Sequence, residues 1–303
     1  GWQTFQAGIT PPPSLSAQDL ALYRHSAAVL RMAQVRESEY YLREWLTQDG
    51  EPRHSLFGTL PATVSHQAQG SVLASLPPGR WTYAWPRDAA YAVAGMAHAG
   101  MQEEAAAALR FTLNAWSDRY RSYDELSGVP IEPYAVSLCR HHGFGVEESD
   151  TLGGGDFNFE FDGAGLTLWA MGEYVRATGD WSLVEEQWER LREPTAGFLE
   201  ALIDPTTGLI ARDSSIWEHH WLGKERAWAY TSITAARGLC EAATFADHLG
   251  DGAAALRFRD AGQRVRDGIL AHLQSSERVL AATREELDVG GYYDGAVLEA
   301  LAM

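Results

Sequence analysis

The feature that most constrains the fold is a run of helical segments joined as hairpins. Apolar residues recur at three- and four-residue steps in about eight segments. The predicted helices cover residues 17–45, 89–99, 101–116, 162–177, 181–202, 228–249 and 251–273, and a last one starts near residue 294. Residues 48–80 are predicted to form a loop or a short hairpin, and residues 120–160 are predicted to be loops. Because strand-like alternation is weak elsewhere, the sequence predicts an all-α protein.

Every second predicted helix follows an aromatic residue that stands beside a carboxylate. The four stretches are Trp85-Pro86-Arg87-Asp88, Phe159-Glu160-Phe161-Asp162-Gly163, Ile216-Trp217-Glu218 and Gly291-Tyr292-Tyr293-Asp294-Gly295. Two kinds of helix in alternation predict two concentric rings, with the inner helices parallel and the four loops at one rim. Such a rim suits neutral polyols, because sugars offer hydroxyls to carboxylates and C–H faces to aromatic rings.

Charge and hydropathy exclude several classes of partner. The formal net charge is −17 and no basic patch is present, which excludes nucleic acids and anionic membrane surfaces. No apolar run approaches the ~18 residues of a membrane-spanning helix. We therefore expect a monomer that binds neither nucleic acid nor membrane.

The two ends of the sequence predict its domain organisation. Residues 1–16 contain three consecutive prolines and lack apolar periodicity, which predicts a linker that could follow an upstream domain. The chain begins at Gly1 and ends at Met303, inside a predicted helix. We expect a fragment in which residues 17–303 form one helical domain.

The stretch from Trp81 to Asp88 combines groups that bind polar ligands. Arg87 offers a planar fork of donors, and Asp88 can cap the helix that follows. Trp81 and Trp85 offer flat apolar faces for a sugar ring. The alternative is a capped helix with a local pair between Arg87 and Asp88 and with tryptophans in the core.

Glu218 stands between Trp217 and His219 and is the candidate general acid. An indole beside a carboxyl group disfavours the charged form, which suits proton donation. The alternative is a surface ion pair with Lys224 or Arg226. For Asp162 and Asp294, each followed by glycine, the alternative is a helix cap.

These stretches resemble glycoside hydrolase family 15, the family of glucoamylases, glucodextranases and bacterial trehalases. Trp81 to Asp88 resembles its substrate-binding motif, aromatic-x-Tyr-x-Trp-x-Arg-Asp, and residues 70–75 are similar to the Gly-x-x-x-Ala-Ser lead-in of its bacterial members. Residues 213–218 resemble the loop that carries its general acid. Asp162-Gly163 and Tyr293-Asp294 resemble its later helix starts.

The resemblance implies an (α/α)6 barrel of twelve helices, of which residues 17–303 hold the N-terminal two-thirds, about eight. It implies an inverting, exo-acting α-glucosidase without a cofactor, which releases glucose from α-glucan, dextran-type or trehalose-type substrates. Glu218 is then the catalytic acid. The implied substrate-binding residues are Arg87, Asp88, Trp85, Trp81, Trp217 and Asp162.

Two residues depart from the family pattern. His219 stands where fungal members carry a second acid, and Trp81 stands where tyrosine is common. The general base of the family is a glutamate near the end of the barrel, which the resemblance places beyond Met303.

Two other functions stay open at the level of sequence. A disaccharide phosphorylase on the same barrel would use phosphate in place of water, and a non-catalytic carbohydrate-binding protein would need no base. The adjacent pairs His141-His142 and His219-His220 lack the three- or four-residue spacing of helical zinc ligands, so we expect no metal site.

Overall fold

Helices supply most of the regular structure. The structure is a computed structural model that describes residues 2–37, 40–43, 62–65, 67–76, 79, 81–121, 132–142, 145–149, 157–218, 225–287, 289–290 and 294–299. Its helices are α1 (Trp2–Gly8), α2 (Ala17–Ala33), α3 (Pro86–His98), α4 (Gln102–Asn114), α5 (Asp162–Thr178), α6 (Ser182–Leu191), α7 (Phe198–Ala201), α8 (Ala229–His248) and α9 (Gly252–His272). The predicted all-α class is confirmed.

Helices α3, α5 and α8 form the inner layer. Helix α5 packs between the other two and is buried over almost its whole circumference. Helices α5 and α8 touch through glycines: a Cβ atom on Gly165 would lie 2.4 Å from the carbonyl oxygen of Thr234. Gly165 and Thr234 lie in the first two turns of their helices, so the contact places the N-termini of α5 and α8 at the same rim.

Helices α4, α6 with α7, and α9 form the outer layer. Each outer helix follows an inner helix through a short turn, as at Gly100 and Gly179, whose φ angles are +80° and +71°. The connections from an outer helix back to the next inner helix are long, from residue 115 to 161 and from 202 to 228. Short turns therefore lie at one rim and long segments at the other, as the alternating pattern predicted.

Short strands and 3₁₀ turns lie between and after the helices. Strand β1 (Tyr40–Arg43) pairs antiparallel with β2 (Ala62–Ser65), and β3 (Arg140–His142) pairs with β4 (Val146–Glu148). Strand β2 falls in the predicted loop or hairpin 48–80, whereas β1 lies in the predicted helix 17–45, which is wrong at this end. In the described part of the chain, 3₁₀ turns cover Ser215–Trp217, Arg284–Glu286 and Gly295–Leu298. The last of them is the predicted helix start near residue 294.

Helix α2 is shorter than predicted. It ends at Ala33 rather than near Trp45, because Gln34 and the chain after it pair with the segment around Val72. The side-chain amide of Gln34 donates from Nε2 to the carbonyl oxygens of Gly70 and Glu104, at 3.1 and 2.8 Å. These long-range bonds hold the segment after Ala33, and helical periodicity does not reveal them.

Two further boundaries differ from the prediction. Helix α3 begins at Pro86 rather than Ala89, since proline suits the first helical position. The predicted helix 181–202 is interrupted by a π turn at Arg192–Gly197. Pro194 lies in this turn and has no N–H, and its carbonyl oxygen accepts a 2.7 Å bond from the amide of Ala135.

The first sixteen residues pack on the helical body. They contain helix α1, and Ile9 is buried. The amide of Thr10 donates to the carbonyl oxygen of Ala99 at 2.9 Å. The absence of periodicity here reflects a single buried contact rather than an amphipathic face, and the linker role of residues 1–16 stays a prediction. In the part of the chain that is described, the helices lack the length and apolar character required to cross a bilayer.

Candidate active site

Three charged side chains meet where α3 and α5 begin. Nη1 of Arg87, in the first turn of α3, lies 2.7 Å from Asp162 Oδ2, and its Nη2 lies 2.7 Å from Glu160 Oε2. Both carboxylates are buried. We call Arg87, Glu160 and Asp162 the arginine clamp. The local pair between Arg87 and Asp88 that the sequence left open is therefore replaced by a pair that joins two inner helices.

The arginine clamp holds one more negative charge than positive charge when both carboxyls are ionised. Burial lowers the pKa of Arg87, but Asp162 and Glu160 raise it well above its ordinary value. Burial raises the pKa of Glu160, and the charges of Asp162 and Glu218 raise it further against the lowering effect of Arg87. The clamp is thus a site where a carboxyl group can keep its proton near neutral pH.

Glu218 ends the 3₁₀ turn of residues Ser215–Trp217. Its φ angle is +51°, and that of Ser215 is +50°, so two non-glycine residues of one short turn are left-handed. Left-handed backbone is costly for such residues and persists where the surroundings determine it, often at functional sites. Glu218 is partly buried, and its charge acts on Glu160 of the clamp.

Residues 213–218, which we call the acid loop, are tied to the segment that precedes α5. The amide of Ser214 donates to the carbonyl oxygen of Phe159 at 2.8 Å. The amide of Phe161 donates to Asp213 Oδ2 at 2.9 Å. The acid loop and the two carboxylates of the clamp are thereby held as one unit.

The predicted aromatic residues divide into buried and exposed ones. Trp85 is 6% exposed and packs edge to face on Trp81, with ring centroids 6.1 Å apart. Trp81 is 62% exposed and Trp217 is 48% exposed. The indole N–H of Trp217 donates to Asp294 Oδ2 at 2.8 Å. Trp81 and Trp217 therefore present the open aromatic faces, whereas Trp85 is buried and packs against Trp81.

The capping roles considered for three aspartates have different outcomes. Asp294 caps its turn, since Oδ1 accepts the amide of Ala296 at 2.9 Å. Asp88 and Asp162 do not cap, because the N-cap positions of α3 and α5 are Trp85 and Phe161. Pro86 moves the start of α3 forward, so Asp88 lies inside the first turn with its side chain exposed. The carboxylate of Asp162 instead accepts a hydrogen bond from Arg87.

Lys224 and Arg226 were the possible surface ion-pair partners of Glu218. The Nη1 atom of Arg226 donates to the carbonyl oxygen of Glu225 at 2.8 Å. Lys224 and the pair His219-His220 lie outside the described residues.

His141 is buried, with Nε2 3.1 Å from Ser117 Oγ. Among the residues that the structure describes, no group of three or more His, Cys, Asp or Glu side chains is placed to hold a metal ion.

Sequence reasoning missed several groups of this site. Glu160 lies in the second acid–aromatic stretch, but the sequence assigns a role only to Asp162; two carboxylates two residues apart ahead of a helix are the available signal. Tyr91 and Tyr230 bring their hydroxyls to 3.1 Å across the inner layer. Asp213, the first residue of the acid loop, is buried. Nothing in local sequence marks these contacts, because they join distant elements.

Buried polar atoms without a partner also lie at the site. Within the described residues, Nε1 of Trp85 and Oδ1 of Asp162 make no hydrogen bond. Buried donors and acceptors are rarely left unpaired unless they serve a ligand or hold a water. One donor and one acceptor at the arginine clamp match the hydroxyl groups of a neutral ligand.

Comparison with known proteins identifies the family. The model of Glycosyl hydrolases family 15 matches residues 36–293. A comparison with curated proteins gives no match.

Solved structures share the fold. A substituted form of a glycosidase superimposes with a TM-score of 0.64 at 18% identity, over 95% of this chain and 66% of that chain. The wild-type glycosidase gives 0.60 at 18% identity, over 89% and 62%. A glucoamylase from Saccharomycopsis fibuligera gives 0.55 at 16% identity, over 76% and 50%. This chain spans half to two-thirds of their length and has their (α/α)6 barrel architecture in part. The chain belongs to glycosyl hydrolases family 15.

Proposed function

We propose that the natural protein is an inverting, exo-acting α-glucoside hydrolase and that Glu218 is its general acid. The observation that carries the proposal is the left-handed turn that holds Glu218 beside the arginine clamp. The substrate would be an α-glucan, a dextran-type glucan or trehalose. The reaction needs no cofactor.

Glu218 is suited to donate a proton to the glycosidic oxygen. It lies at the rim where the long segments meet, it is partly buried, and Trp217 precedes it. General acid catalysis of this kind contributes about 10²–10⁴-fold to a rate.

The arginine clamp and the tryptophans would bind the terminal glucosyl unit. Asp162 Oδ1 and Trp85 Nε1 offer one acceptor and one donor. Asp88, exposed in the first turn of α3, offers a second carboxylate. The open faces of Trp81 and Trp217 would stack on sugar rings. Arg87 is held by two carboxylates, so its remaining N–H groups have a fixed direction, which favours orientation of the substrate.

Inversion requires a second carboxylate on the opposite face of the sugar. In inverting glycosidases the acid and base are about 6.5–9.5 Å apart, which leaves room for the attacking water. The family resemblance predicts a glutamate outside residues 1–303 for this role.

The charge of the site favours water over phosphate as the attacking group. Arg87 is already matched by Glu160 and Asp162, each at 2.7 Å. A phosphate ion would need a cation whose charge is not taken, and the carboxylates would repel it. Hydrolysis therefore has the stronger support, and the phosphorylase stays the second candidate.

The test is release of glucose by the full natural protein from maltose, isomaltose and trehalose, with and without phosphate. Wild type should release glucose without phosphate, and Glu218→Gln should lower kcat by about 10²–10⁴-fold. Glu103→Gln is the matched control, because Glu103 is exposed in the first turn of α4, at the opposite rim. Release that depends on phosphate would support the phosphorylase. Sugar binding without turnover of any substrate would overturn the enzymatic proposal.

A further inference from the structure

We infer that Asp213 is a positioning residue that fixes the acid loop, and through it Glu218, against the arginine clamp. This inference rests on the proposed function of Glu218. It concerns the first residue of the acid loop, whose side chain is buried and does not reach the rim.

The carboxyl group of Asp213 joins three parts of the inner layer. Oδ2 accepts the amide of Phe161, directly ahead of Asp162, at 2.9 Å. The hydroxyl of Thr231, in the first turn of α8, lies 3.1 Å from Oδ1 and 3.0 Å from Oδ2. The start of α5, the start of α8 and the acid loop thus converge on one side chain.

The backbone of Asp213 is held as firmly as its side chain. Its amide donates to the carbonyl oxygen of Arg226 at 3.1 Å, and its carbonyl oxygen accepts the amide of Arg226 at 3.2 Å. The indole N–H of Trp228 donates to the same carbonyl oxygen at 3.0 Å. These bonds fix the position of Asp213, and the left-handed turn follows it in the chain.

Asp213 is connected to Glu218 through Thr231 and Ser215. The Thr231 hydroxyl lies 3.1 Å from Ser215 Oγ as well as beside Asp213. Ser215 begins the left-handed turn, and its carbonyl oxygen accepts the amide of Glu218 at 3.2 Å. A chain of contacts thus runs from Asp213 through Thr231 and Ser215 to the general acid. Left-handed residues return to common conformations when such support is lost.

The carboxyl group of Asp213 is bonded by neutral partners. Among the residues described, no arginine or lysine pairs with its carboxylate, and Thr231 and Phe161 are its polar partners. Burial raises its pKa well above the ordinary value, and the charges of Asp162 and Glu160 add to this. The Thr231 hydroxyl can donate to the Asp213 carboxyl group or to Ser215 Oγ, so it joins the two residues.

The decisive variant is Thr231→Val, which keeps the shape and removes the hydroxyl between Asp213 and Ser215. We expect kcat to fall by about 10²-fold with little change in KM, because misplacement of a catalytic group by about 1 Å has this effect. Thr231→Ser restores the hydroxyl and should restore kcat. The matched control is Thr112→Val, a buried threonine of outer helix α4 whose hydroxyl donates to the carbonyl oxygen of Ala108.

Amide hydrogen exchange of residues 213–218 supplies a readout that does not depend on turnover. We expect faster exchange in Thr231→Val and Asp213→Ala, and wild-type exchange in Asp213→Asn, Thr231→Ser and Thr112→Val. Wild-type exchange of the acid loop in Thr231→Val, or an equal fall in kcat in Thr112→Val, would overturn the inference. If wild type releases no glucose, the proposed function fails, and the exchange rates alone decide whether Asp213 anchors the loop.

Discussion

Replacement of Arg87 by methionine would remove the only cation of the arginine clamp and leave Glu160 and Asp162 buried side by side. Methionine keeps most of the length of the side chain, so the change is mainly electrostatic. Both carboxylates lie 2.7 Å from the guanidinium, and both are buried. Removal of one partner from a buried pair costs about 3–5 kcal/mol of unfolding free energy, because the other charge is left uncompensated. At about 2 °C per kcal/mol, the melting temperature should fall by roughly 6–10 °C.

The loss should depend on pH with a defined sign. The pKa of Glu160 is already raised, with burial as the main cause, and Arg87 lowers it. Without Arg87 the pKa rises further. A carboxyl whose folded pKa is raised binds more protons in the folded state, so its contribution to stability is present at low pH and is lost as pH rises above the unfolded value of 4.5. In wild type the folded pKa of Glu160 is about 8, so wild type and variant lose this contribution together up to that pH and diverge above it. The melting temperature of Arg87→Met should therefore lie closer to wild type at pH 6 than at pH 9.

Differential scanning calorimetry at the two pH values measures both effects. The matched control is Arg110→Met, since Arg110 pairs with Glu186 on the surface at 2.6 Å. A surface pair contributes about 0–1 kcal/mol. Equal losses in Arg87→Met and Arg110→Met, or a loss in Arg87→Met that is the same at pH 6 and pH 9, would refute the reasoning about the clamp.

Two further predictions concern helix contact and the open tryptophan. Gly165→Ala should lower the unfolding free energy in urea by about 1–3 kcal/mol, because its Cβ would lie 2.4 Å from the Thr234 carbonyl oxygen. Gly252→Ala, in open space at the start of α9, should stay within about 0.5 kcal/mol of wild type, and an equal loss there would contradict the packing argument. Asp294→Ala should raise KM more than it lowers kcat, because the Trp217 indole loses its 2.8 Å partner. A fall in kcat alone would assign Asp294 to the chemistry instead.

The layer arrangement was predictable because local signals specify it. Periodicity identified the helices from α4 to α9 with small errors at their ends, and the alternating acid–aromatic starts predicted which helices are inner. At the end of α2, a tertiary contact replaces the local preference. Gln34 ends α2 through bonds to Gly70 and Glu104, which are 36 and 70 residues away.

The sequence predicts which residues form the candidate site better than it predicts the role of each one. Arg87 and Asp162 were both expected to bind a sugar directly, yet their first partners are each other. Glu160 and Asp213 were not assigned, because their importance comes from burial and from neighbours on other elements. A single sequence shows where carboxylates occur along the chain. It does not show which of them share a guanidinium or lie next to a strained turn.

The central claim is that Glu218 is the acid of an inverting hydrolase, and the most direct test follows the anomer that is released. Proton NMR of maltose or isomaltose with the full natural protein distinguishes α- from β-glucose before the two equilibrate. The account predicts that β-glucose appears first and that Glu218→Gln releases almost none, while Glu103→Gln behaves as wild type. Initial release of α-glucose, or undiminished release by Glu218→Gln, would contradict it.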